Sequence, residues 1–210
     1  MGDAIQGAIR NGSTVAQGTV ALNQLAEVLV AGGLPPYTEV VRRGRGYGTM
    51  STAAVAGLVV RPTTVAAFEI FNAYPSGSRS LIVDRLFAFN LVSTAVGETY
   101  SLWAQVTEVK TAPTSGSFAV RGHSGKQSGS PVIAAASTTV VDSGWFPWTS
   151  AIQKVAQAAT VTPQGCQVAE VAGRLIVPPQ CALCLHVVSS IVGQTFTQGA
   201  QWFEEQLTLE

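Results

Sequence analysis

Cys181-Ala-Leu-Cys184 has the C-x-x-C spacing of a redox pair or of half a zinc site. In a strand, however, positions three apart point to opposite faces, so Cys181 sides with Leu183 and Leu185 while Cys184 joins Ala182 and His186. A structural zinc needs four ligands, and beyond these two only Cys166 and His186 remain. The spacing therefore predicts free thiols buried as small apolar side chains. His123 and His186 are the only histidines. The first lies in a Gly/Ser stretch and reads as an exposed loop residue; the second lies in an apolar run and reads as a hydrogen-bonded strand residue. Glu69 and Asp84 could face each other across a hairpin as a carboxylate pair, but Arg79 and Arg85 nearby favour ordinary surface pairing over glycoside chemistry. No catalytic, metal-binding or cofactor-binding residue is assigned, and no cofactor is expected.

Lys126-Gln-Ser-Gly-Ser-Pro-Val132 is similar to the nucleophile loop of trypsin-like serine proteases, with Ser128 as the nucleophile. A serine hydroxyl needs a base to take its proton. That family places the histidine far upstream, whereas no histidine precedes His123, five residues before Ser128, and Lys126 stands where a glycine is required. Two requirements fail together, which argues against a protease. Aromatic rings offer another kind of site. Tyr74, Trp145 and Trp148 could stack on sugar rings if they shared an exposed face, with the proline of Trp145-Phe-Pro-Trp148 interrupting strand pairing and leaving a ring near the surface.

The elements that would carry these residues are strands. Phe68 to Asn72 and Leu81 to Val92 are apolar, rich in β-branched and aromatic residues, and joined by a Pro/Ser/Gly turn at 72 to 78, the pattern of a hairpin. In Tyr100 to Val109, Leu102, Ala104 and Val106 fall on one face as a buried row, and Ser101, Gln105 and Thr107 on the other as an outward row. Further runs follow at 132 to 141, 167 to 177, 182 to 192 and 202 to 209. Gly- and Ser-rich stretches at 111 to 117 and 121 to 130 read as exposed loops. About eight strands without a fixed repeat predict an all-β fold, a jelly-roll-like antiparallel β-sandwich over residues 49 to 210.

Residues 1 to 48 read differently, as an N-terminal arm with a short helix. Val20, Leu22, Leu25, Val28 and Leu29 have helical spacing; Asn11, Ser13 or Thr14 could start the helix, and Gly32-Gly33 before Pro35-Pro36 would end it. Arg42, Arg43 and Arg45 form the one dense basic cluster. With Leu22, Leu25 and Leu29 they are the candidate attachment residues of an arm that orders on a neighbouring subunit.

Charged residues are 11% of the chain, against about 25% in ordinary soluble domains, so solubility cannot rest on surface charge. Such a chain hides part of its surface against copies of itself. Twelve basic residues balance twelve acidic ones, which leaves no field to attract nucleic acid or anionic lipid. No run reaches the roughly 20 apolar residues needed to span a bilayer, and the N-terminus lacks a signal-peptide pattern. Three cysteines cannot all pair, which suits synthesis in a reducing cytoplasm.

Phe68-Glu-Ile-Phe-Asn-Ala-Tyr-Pro-Ser-Gly-Ser-Arg-Ser-Leu-Ile-Val83, with Arg174-Leu-Ile-Val-Pro-Pro and Gly193-Gln-Thr-Phe-Thr-Gln-Gly-Ala-Gln-Trp-Phe-Glu204, resembles tailed-phage virion proteins of jelly-roll type over residues 50 to 209. These are the accessory proteins that decorate heads or build tails and fibres. The resemblance implies a non-enzymatic virion subunit, assembled in the host cytoplasm, often a homotrimer, that attaches through its N-terminal segment to proteins such as the major capsid protein. The alternative, resting on Tyr74, Trp145 and Trp148, is a carbohydrate-binding module of a fibre or tail that recognises host-surface glycan.

Overall fold

The structure, a computed structural model, describes residues 5–11, 14–20, 37–92, 99–108, 112–125, 129–149 and 165–207. The chain divides into two compact units, Met1–Thr38 and Glu39–Glu210. Residues 39 to 48, placed with the arm from sequence, thus belong to the larger unit.

In the smaller unit, β1 (Ile5–Asn11) pairs antiparallel with β2 (Thr14–Val20), in a register running from Ile5 opposite Val20 to Asn11 opposite Thr14. A helix starting at Asn11, Ser13 or Thr14 is therefore not formed. Gly12-Ser13 between the strands is the residue pair that favours a tight hairpin turn, and it outweighs the capping signal. Leu22, Leu25 and Leu29 lie outside the described residues.

The short helix is α1 (Thr38–Arg42). The strands that follow are β3 (Gly46–Met50), β4 (Val55–Ala56), β5 (Val65–Phe71), β6 (Arg79–Val92), β7 (Tyr100–Glu108), β8 (Arg121–Gly122), β9 (Ile133–Thr139), β10 (Phe146–Pro147), β11 (Gly165–Val177), β12 (Cys181–Ser189) and β13 (Thr195–Gln206). They form a five-stranded sheet, β10-β7-β12-β5-β9, and a six-stranded sheet whose path runs β11-β6-β13-β3-β8, with β4 also paired to β13. All their ladders are antiparallel, and the two sheets pack as a sandwich. With β4, β8 and β9 set apart as additional strands, β3, β5, β6, β7, β10, β11, β12 and β13 can be counted one to eight. The sheets then read 1-8-3-6 and 2-7-4-5, the order of a jelly roll.

That order overturns the hairpin expected over Phe68 to Val92. β5 pairs with β12 and β9, whereas β6 pairs with β11 and β13 in the other sheet. β5 is buried on both faces, one set of side chains entering the main core and another the second core around Trp145, whereas β6 alternates buried with half-buried positions along much of its length. Asn72 makes the corner between them: its Nδ2 donates to the carbonyls of Arg79 and Val177 at 2.9 and 3.0 Å, and its backbone N–H to that of Cys181 at 2.9 Å. Glu69 and Asp84 consequently lie in different sheets and form no carboxylate pair.

Between the sheets, Phe68, Ile70, Leu81, Leu86, Leu102, Leu183, Leu185, Phe196 and Trp202 are almost wholly buried. Each large side chain removed from water contributes about 1.5–3 kcal/mol. The inward row on β7 is as expected from sequence, but the outward row is not. Ser101, Gln105 and Thr107 are buried too, Gln105 and Thr107 being held by the segment after β9 and Ser101 accepting the Trp103 indole N–H at 2.8 Å. Gln105 Nε2 donates to the Val141 carbonyl and its Oε1 accepts from the Ser143 N–H, both at 2.9 Å, while the Thr107 and Ser143 hydroxyls share a 2.7 Å hydrogen bond.

Candidate functional site

The three rings expected to meet on one surface have separate neighbours. Trp145 is 4% exposed and anchors a second core with Ala66, Phe71, Val140, Ala182 and Cys184, its indole N–H donating to the Thr63 carbonyl at 2.8 Å. Its faces are unavailable to a sugar. Trp148 is half-buried against the main core, and the Arg174 guanidinium lies 5.4 Å from its ring centre. The exposed ring of this run is Phe146, at 69%. The proline does not interrupt the pairing as expected: it lies within β10, opposite Trp103 of β7.

Tyr74 belongs to a polar cluster that sequence reasoning missed. Glu204, on β13, is completely buried, and the Tyr74 hydroxyl donates to its Oε2 at 2.7 Å. Ser130 Oγ donates to Oε1, and the Arg79 guanidinium stands 3.9 Å from Oε2 and 5.8 Å from the Tyr74 ring centre. Burial, and then the neighbouring carboxylate, push the Tyr74 hydroxyl up to about 12. Burial likewise raises Tyr47, with Glu204 as the second cause. Both carboxylate oxygens have donors, so the arrangement ties the corner after β5 and the segment at Ser130 to the end of β13. Ser128, the nucleophile of the protease-like loop, lies outside the described residues.

The basic cluster is drawn into the same region of the fold. Arg45 NH1 donates to Glu205 Oε2 at 2.5 Å, and the Arg45 carbonyl accepts the Glu204 N–H at 3.0 Å. Gly44, at φ 71°, supplies the left-handed turn that ends α1, as its N–H reaches the Val41 carbonyl. Arg42 and Arg43 are exposed.

The thiols and imidazoles are dispersed. Cys166 is exposed, Cys181 half-buried and Cys184 buried, all three as free thiols. Burial, with Glu69 second, raises Cys184 well above its ordinary value, so it is a poor nucleophile. His186 is buried on β12, where burial lowers its basicity against a weaker opposing contact with the Val187 carbonyl. His123 is exposed and packs beside Gly46 and Gly48, whose missing side chains make room for its ring; partial burial lowers it as well. Among the described residues, no group of three or more His, Cys, Asp or Glu is placed to hold a metal. No described helix is long and apolar enough to cross a membrane.

One surface is unusual. Where β12 ends and β13 begins, the chain between β4 and β5 folds against the β12–β13 turn. Gly57 N–H donates to the Gln194 carbonyl, Leu58 N–H to that of Val187, and Ser189 N–H to that of Leu58, all within 2.9 Å. β6 ends beside it, with Val92 opposite Thr195. This brings Val59, Val60, Val92 and Val192 to one end of the sandwich, with Val60 64% and Val192 75% exposed. Arg61, which follows Val60 in the chain, forms a two-pronged ion pair with Asp142 at 2.8 Å. Sequence reading takes Val192 into a strand, although β12 stops at Ser189, ahead of the glycine of the turn. Comparison with family models, with curated proteins and with solved structures gave no match.

Proposed function

We propose that this protein is a non-enzymatic structural subunit of a phage particle, a head-associated or decoration protein. It assembles with copies of itself as a homotrimer and docks onto other virion proteins such as the major capsid protein, with the N-terminal segment as its attachment element. The observation that carries this reading is the valine end, where Val60 and Val192 are exposed. Exposed apolar side chains gathered together mark an interaction surface, whereas scattered ones do not. The jelly roll is compatible with the role, being a fold of viral shell domains, but it also serves lectins and enzymes and so does not decide the matter. The glycan-binding alternative gains nothing from Trp145, Trp148 and Tyr74, which are buried, capped or hydrogen-bonded into the fold.

Sedimentation velocity of the full chain beside the Val60→Asp/Val192→Asp double variant tests the role of this end. The wild type is expected to sediment as an oligomer and the variant as a monomer with an unchanged circular dichroism spectrum. A variant that assembles as well as the wild type overturns the assignment.

A further inference from the structure

Glu69 stands out among the charged side chains of the sandwich. On β5 it lies between Cys184 of β12 and Ala135 of β9, and it is 2% exposed. Its Oε1 is buried without a hydrogen-bond partner. Among the described residues, no Lys, Arg or His is ion-paired with it. Thr138 stands close enough to ease the charge in part, yet its own Oγ1 makes no well-formed hydrogen bond. A buried carboxylate in this condition is costly, and a donor arriving from outside would relieve it.

Glu69 lines a cleft of about 610 Å³ whose walls include Thr64, Thr114, Thr138, Thr139, Pro113 and Val140. The volume falls within the range of small-ligand sites, roughly 300–1,000 Å³. Among the described residues of the lining Glu69 is the only charged one, which favours a cation. The orphaned atom is a single oxygen, which suits the compact point charge of an ammonium better than the two-pronged fork of a guanidinium. Threonine hydroxyls can take the remaining ammonium protons, and Pro113 and Val140 offer an apolar wall to a methylene stem.

We propose that this cleft binds an alkylammonium group, a primary ammonium on an aliphatic stem, with Glu69 as its carboxylate partner. Such a group reaches a protein either as a lysine side chain of another chain or as a free polyamine.

The test is a calorimetric titration of the full-length protein with n-butylammonium, n-butanol, spermidine and Nα-acetyl-lysine N-methylamide. Saturable binding of n-butylammonium is expected, with none of n-butanol, and Glu69→Gln should weaken it by about tenfold or more. Thr138→Val, which keeps the charge, should weaken binding to a smaller degree and serves if Glu69→Gln does not fold. Tighter binding of spermidine assigns the site to a free polyamine; tighter binding of the lysine mimic assigns it to a lysine side chain. Absence of saturable binding by every amine, or equal binding to wild type and Glu69→Gln, overturns the proposal.

Discussion

The Tyr74 hydroxyl donates to Glu204 Oε2 at 2.7 Å, joining residues 130 positions apart in sequence. Tyr74 sits in the corner between the two sheets and Glu204 near the end of the last strand, so this hydrogen bond fastens a crossover of the jelly roll to its closing strand. Tyr74→Phe removes the donor and leaves a buried carboxylate oxygen facing only Arg79 at 3.9 Å. A loss of about 1–3 kcal/mol is expected in urea unfolding, with the slope of the transition unchanged. A loss indistinguishable from zero would mean that Arg79 alone satisfies the carboxylate.

Glu69 gives the stability a characteristic pH dependence. Burial raises its folded-state value above the ordinary 4.5, so the folded protein holds this proton more tightly than the unfolded chain does. Its favourable contribution is complete below the unfolded value and is lost as pH rises through the folded one. Glu69→Gln should therefore be more stable than wild type at pH 8, by about 1 kcal/mol or more, with the advantage vanishing below about pH 4. Thermal melts of both proteins across this range provide the check.

Gly199 marks a close approach inside the six-stranded sheet. A Cβ there would lie about 2.4 Å from the Thr49 carbonyl oxygen and 2.5 Å from the Phe87 ring. Backbone of a paired strand cannot withdraw by that distance without breaking the β3–β13 ladder. Gly199→Ala is expected to cost about 1–3 kcal/mol or more in chemical denaturation.

Where the N-terminal segment can be cut follows from Tyr47. It stacks on Trp202 with ring centres 6.2 Å apart, donates its hydroxyl to the Gly44 carbonyl at 2.6 Å, and lies in a strand paired with β13. Deleting residues 2 to 38 should leave a cooperative unfolding transition, whereas deleting 2 to 48 removes most of β3 and Tyr47 with it and should lower the midpoint sharply. Under the assembly reading, the shorter deletion also abolishes retention on particles.

Much of the architecture is legible in the residue pattern, and the exceptions have physical causes. Leu102, Ala104 and Val106 alternate with polar residues, and their common face is the inner one. The same pattern cannot reveal that Gln105 and Thr107 are covered, because their cover comes from a segment more than thirty positions later. Phe68 to Val92 looks like a hairpin because local sequence does not distinguish a turn within a sheet from a corner between sheets; the Asn72 hydrogen bonds to Arg79 and Val177 make the difference. The polar cluster is hidden for a related reason. Trp202-Phe-Glu-Glu205 offers two carboxylates, and a register shift between Gln201 and Trp202 complicates any parity argument for which one turns inward. Of the residues singled out for attachment, Arg45 is held by Glu205, a partner 160 positions away.

The most direct measurement is the absolute mass of the full chain in solution, by light scattering coupled to size-exclusion chromatography over a range of concentrations. A structural subunit that assembles through its valine end is predicted to elute at three times the chain mass of 21.8 kDa. A species of a single chain mass at every concentration would contradict it.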